Sequence, residues 1–149
     1  MRVVDIKKEH FFMEQYMNLR NRYADALLTA CVDREGTEKW LAGENVEVRG
    51  LAEGDTLMGV VILYPDKEGE IAFFVREPNS GIGTVLLAVI EEVARSNGLS
   101  YVKSWTLKDN AIAQRVFEKS GFFQMGKENR EFRGTILAGI RYQKVLTDG

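Results

Sequence analysis

Residues 77–84 read Glu-Pro-Asn-Ser-Gly-Ile-Gly-Thr and lead straight into a long amphipathic run. Gly81 and Gly83 lack side chains, so a ligand can approach the main chain closely there. The first N–H groups of a helix have no partner inside it and lie at the positive end of its dipole. Together these features make a pyrophosphate-sized anion site. The loop is not a Walker loop, because no Gly-Lys-Ser/Thr follows. It is not a full dinucleotide fingerprint either, because only two glycines are correctly spaced. Other chemistries are limited by scarcity. One cysteine, Cys31, cannot close an internal disulfide. One histidine, His10, cannot supply a histidine-rich metal site or a Ser-His-Asp triad elsewhere, and no metal site is expected.

The elements around the loop must position it. Ile82, Val85, Leu86, Val89, Ile90, Val93 and Ala94 recur at steps of three and four, which predicts a helix stopped by Asn97-Gly98. Before the loop, Val46–Leu51, Leu57–Tyr64 and Glu70–Val75 read as strands joined by tight polar turns, an antiparallel meander. Leu57–Tyr64 is nearly all apolar, as suits a strand buried on both faces. Arg2–Ile6 is a short first strand. Lys7 to about Leu28 reads as helical, with Phe12, Tyr16, Leu19, Tyr23 and Leu27 as its apolar stripe. Thr37 is placed as the cap of a short helix carrying Trp40 and Leu41. Tyr101–Leu107 is strand-like, and Asp109 or Asn110 caps a helix ending near Ser120-Gly121. Phe122–Met125 and Thr135–Leu146 close the chain as strands around a polar turn at Lys127–Gly134. This order covers both faces of a mixed sheet, an α/β fold.

Composition agrees with one soluble domain over residues 1–149. Apolar residues are 45% and charged residues 28%, with 14 Gly and 2 Pro. The longest apolar run, Val85–Ile90, is far short of the ~18 residues of a membrane span. A net charge of −2 argues against broad binding to nucleic acid or anionic lipid. The N-terminus lacks the apolar stretch of a signal peptide, so a cytoplasmic location is the default expectation. A homodimer is left open.

Asn110–Phe122 has the form N-x-x-A-x-x-x-F-E-K-x-G-F. With Pro78–Gly83 as the preceding loop, the chain resembles the GNAT superfamily of acyl-CoA-dependent N-acetyltransferases. Element order agrees over about residues 45–146. The resemblance implies a mostly antiparallel mixed sheet of six to seven strands with about four helices. It implies acetyl-CoA as cosubstrate, with the amides of Asn79, Ser80, Gly81, Ile82, Gly83 and Thr84 on its pyrophosphate. The exposed main chain around Phe74 and Val75 would pair with the pantetheine arm, and one of those amides would hold the oxyanion. Asn110 would lie beside the arm, and Arg115, Arg76 and Lys119 could meet phosphates.

Three positions depart from the family pattern. Pro78 stands where Arg or Gln is usual and removes one N–H donor. Asn79 replaces a frequent glycine. Phe117 stands where many members have a tyrosine that reprotonates the thiolate. A thiol pKa of about 8.5 makes that thiolate a tolerable leaving group, so losing the acid slows the reaction without abolishing it. Tyr142 is the reserve candidate for that acid.

Gly69-Glu70-Ile71-Ala72-Phe73 is similar to a run that supplies a glutamate base in some members. The amine acceptor must lose a proton before or during attack, and Glu70 would take it directly or through water. Leu19-Arg20-Asn21 with Thr37-x-x-Trp40 is similar to the L-R-N…H-x-x-W pattern of nucleotide-linked amino-sugar N-acetyltransferases. Thr37 stands in the histidine position. On that likeness Arg20, Asn21 and Trp40 would bind a small-molecule amine acceptor. The alternatives are a protein or peptide amine, or a CoA-binding sensor with little turnover.

Overall fold

The computed structural model describes residues 1–25, 27–43 and 45–146. The elements run β1 (Arg2–Asp5), a 3-10 turn (His10–Phe12), α1 (Met13–Arg22), α2 (Arg34–Leu41), β2 (Glu47–Glu53), β3 (Thr56–Tyr64), β4 (Glu70–Val75), α3 (Ile82–Ser96), β5 (Tyr101–Leu107), α4 (Ala111–Lys119), β6 (Phe123–Lys127), β7 (Arg130–Phe132), β8 (Thr135–Leu137) and β9 (Gly139–Val145). Seven strands form one sheet in the order β1-β2-β3-β4-β5-β9-β6; β7 and β8 form a separate hairpin. Every pairing is antiparallel except β4 with β5.

The period of two along β4 divides its side chains between the two layers. Phe74 joins the core under α1 and α2, with Tyr16, Leu19 and Leu41. Ile71 joins the core under α3 and α4, with Leu86, Ile90 and Phe117, and Phe73 and Val75 pack against it. β3 is buried from Val60 to Leu63, as its unbroken apolar sequence requires. No helix among the described residues is long and apolar enough to cross a membrane.

Three expectations are corrected. Residues 7–28 are not one helix. The Asp5 carboxylate and carbonyl take the amides of Lys7, Lys8 and Glu9 in a turn, so α1 begins only at Met13. It ends at Arg22, and Leu28 sits at φ +54°. Thr37 is not a cap. Asp33 caps α2, its Oδ1 accepting from the Gly36 amide at 2.7 Å, and Thr37 is buried within the helix. Residues 127–134 are not merely a turn. Arg133 and Gly134 at φ +51° and +79° reverse the chain between β7 and β8. Hairpin turns of that kind favour Asn-Gly, so an Arg-Gly pair gave little signal.

Candidate active site

Parallel strands β4 and β5 stay in register only at Glu70 opposite Lys103. The Ser104 hydroxyl still donates to the Ile71 carbonyl at 3.0 Å. Beyond that point a cavity of about 150 Å³ opens between Ala72–Val75 and Ser104–Thr106. Tyr23 and Leu27 wall it on one side, and Pro78, Asn110, Ala113 and Phe117 on the other. The slot is mainly apolar, with strand main chain along its edge. Tyr23 Oη donates to the Val75 carbonyl at 2.7 Å, which leaves that oxygen a second lone pair.

The loop of residues 76–81 sits at the end of this slot. Ser80 Oγ donates to the Glu77 carbonyl at 2.7 Å and closes the loop on itself. Asn79 and Gly81 are left-handed, at φ +60° and +83°. Asparagine tolerates that conformation, which explains its replacing a glycine. A Cβ on Gly81 would meet nothing within 4 Å, so its main chain faces open space. Gly83 has a different reason to be glycine. Its Cβ would come within 2.9 Å of Phe73 Cε2 and 3.2 Å of Val116 Cγ1. It is buried and lets α3 pack closely; it does not open a path for a ligand. Ile82 is likewise buried, so only its main chain can serve the loop. Thr84 is half-buried in the first turn of α3.

Asn110 caps α4, its Oδ1 accepting from the Ala113 amide at 3.1 Å, and it lines the slot. Arg115 is exposed on α4 and does not line it. Arg76 turns away: its Nε donates to the Leu57 carbonyl at 2.9 Å and its Nη2 to Gln15 Oε1 at 3.3 Å. Phe117 is packed edge-on against Phe73 and Phe122, at 5.4 and 5.3 Å.

A second cavity of about 350 Å³ lies on the α1/α2 face. It is polar, and Arg20, Trp40, Tyr64, Lys67, Glu70 and Arg130 contribute to its wall. Leu27, Ala72 and Trp105 line both cavities, so the two meet where β4 and β5 part. Glu70 Oε1 accepts from Arg130 Nη2 at 2.8 Å. Arg130 Nε is paired with Glu128 at 2.9 Å, and its guanidinium lies 4.8 Å over the Trp105 ring. Arg20 lies 4.7 Å over the Trp40 ring and donates to Tyr16 Oη at 2.6 Å. Burial pushes the Tyr16 and Tyr64 hydroxyls above the usual tyrosine range, with Arg20 opposing it at both.

Besides Arg115, two expected residues are not brought into this arrangement. The Asn21 side chain both donates to the Val32 carbonyl (3.0 Å) and accepts from the Val32 amide (2.7 Å). It fastens the chain after α1 and lines neither cavity. Tyr142 is fully buried, stacked on Phe117 at 5.3 Å, and its hydroxyl has no partner among the described residues. Burial raises its pKa. Trp105, Tyr23, Tyr64, Lys67 and Arg130 were not read as site residues. No local signal marks Trp105: its indole fills the space that a Cβ on Gly139 of β9 would need. Among the described residues no cluster of His, Cys, Asp and Glu could hold a metal.

The apolar slot, edged by strand main chain, ends beside the N-terminus of α3, where the main chain of Gly81 faces open space. The acetyltransferase (GNAT) family model matches residues 9–122. Among solved structures, the ribosomal-protein-alanine N-acetyltransferase of Brucella melitensis has a TM-score of 0.85 at 19% identity, covering 98% of this chain and 100% of that one. A Salmonella typhimurium protein described as an acetyltransferase with its cofactor acetyl-CoA has a TM-score of 0.86 at 16% identity, covering 100% and 95%. An acetyl transferase from Salmonella typhimurium that modifies the N-terminal serine of ribosomal protein L7/L12 has a TM-score of 0.77 at 15% identity, covering 97% and 92%. The family match spans most of the chain and the shared fold spans nearly all of it: the protein belongs to the GNAT acetyltransferases, enzymes that use acetyl-CoA.

Proposed function

We propose that this enzyme transfers the acetyl group directly to the primary amine of a small molecule seated in the polar cavity, with Glu70 as base. The observation that carries this reading is the junction of the two cavities at Leu27, Ala72 and Trp105. A donor in the slot and an acceptor in the polar cavity meet there without leaving the protein.

Acetyl-CoA, when bound, supplies an acetyl group on a good leaving thiol. The amides of residues 79–84 hold its diphosphate, and the main chain of Val75, turned from β3 toward the slot, aligns its arm. Asn110 borders the same slot. An amine with a pKa of about 10 is mostly ammonium at neutral pH and has no free lone pair. Glu70 removes that proton, directly or through water. Arg130 fixes the carboxylate at 2.8 Å, and Arg20 and Trp40 bind the rest of the acceptor. A cavity of about 350 Å³ is of small-molecule size and favours this class over a long peptide.

Glu70→Gln tests the base. Its kcat/KM at pH 7, followed by thiol release, should fall roughly 10²–10³-fold. The loss should shrink about tenfold per pH unit as the free amine appears. A parallel pH profile in both proteins removes Glu70 from the role. A peptide N-terminus is the second reading, because two similar structures are named for ribosomal-protein acceptors. Turnover of short peptides, with amino acids and amino sugars silent, would select it.

A further inference from the structure

We propose that the acceptor carries an oxyanion, a carboxylate or a phosphate, and that Arg20 is the residue that selects it. This rests on the acceptor occupying the polar cavity. Three cations line that cavity, Arg20, Lys67 and Arg130, against one carboxylate, Glu70. Glu70 and Glu128 already neutralise Arg130, at 2.8 and 2.9 Å. Among the described residues no carboxylate pairs with Arg20 or with Lys67.

Arg20 is also held in a fixed pose. Trp40 covers one face of its guanidinium at 4.7 Å, and Tyr16 Oη takes Nη1 at 2.6 Å. Its Nε is buried and has no acceptor among the described residues. A half-buried cation that lines the cavity with no carboxylate partner among the described residues, preorganised by neutral aromatics, is a site for an external oxyanion. Such a fork matches two oxygens of a planar carboxylate or of a phosphate equally well. The reacting amine would then lie at the other end of the cavity, by Glu70.

The experiment uses matched pairs of amines with acetyl-CoA and reads kcat/KM from thiol release. One arm compares amino acids with their carboxamides. The other compares aminoalkyl and hexosamine phosphates with the unphosphorylated amines. The wild type should favour the anionic member of at least one arm by about 30-fold or more, and the arm that responds identifies the oxyanion. In Arg20→Met that ratio should fall to within about threefold. Arg20→Lys, which keeps the charge but loses the fork, should fall between, and it decides the matter if the methionine variant does not fold. Equal turnover of charged and neutral partners by the wild type overturns the proposal, as does a preference that survives Arg20→Met. The base assignment fails separately: a parallel pH profile in Glu70→Gln removes Glu70 from that role and leaves the anion preference and its dependence on Arg20 to be read on their own.

Discussion

Replacing Gly81 with glutamate places a negative charge beside the amides proposed to hold the diphosphate. No heavy atom lies within 4 Å of the added Cβ, so the side chain meets no wall. Its backbone, at φ +83°, costs any non-glycine residue about 1 kcal/mol. That strain weakens the fold slightly but says nothing about the ligand. Gly81→Gln carries the same strain at the same size and serves as the control. The difference between the two is electrostatic. A carboxylate roughly 6 Å from a phosphate, at an effective dielectric constant near 40, repels it by about 1.4 kcal/mol. Two phosphate charges roughly double this, so affinity should drop about 100-fold relative to Gln. Calorimetric titration with CoA at low salt measures it, and the gap should narrow as salt is added. Equal affinities for the Glu and Gln proteins would refute diphosphate capture by this loop.

Gly83→Ala probes packing instead. Its Cβ would press on Phe73 and Val116, at 2.9 and 3.2 Å, and overpacking of this kind costs about 1–3 kcal/mol. A melting temperature lower by roughly 3–9 °C is expected by calorimetry, whereas an unchanged value would mean that the helix simply shifts. Tyr142→Phe removes a buried hydroxyl that has no partner among the described residues, so it should be neutral or add about 1 kcal/mol of stability. Turnover should stay within about twofold; a hundredfold loss would reinstate Tyr142 as the acid.

The parts of the fold written in local periodicity were legible. β4 and β5 fall on the residues expected, and α3 follows its 3.6-residue stripe from Ile82 to Ser96. Asn110 was readable as a cap because capping is a local event. Glu70 and Arg20, singled out from short runs of sequence, line the same cavity. What was hidden depends on register and on distant contacts. Trp105 reaches the junction only because Gly139, on the neighbouring strand β9, leaves room for its indole. Arg130 meets Glu70 across 60 residues of chain, from a hairpin read as a plain turn. Asn21 looked like a ligand-facing polar residue, yet both ends of its amide are taken by Val32. No spacing rule distinguishes those outcomes, because each depends on where a remote segment comes to rest.

The small β7–β8 hairpin stands apart from the seven-stranded sheet, yet it brings the counterion to the proposed base. Its tip, Arg133-Gly134, is exposed. A protease cut there would spare every strand of the main sheet and loosen the one guanidinium that steadies Glu70. With Glu70 as the base, such a cut would lower turnover while the protein still melts as a folded one, so a healthy unfolding curve would not certify a working preparation.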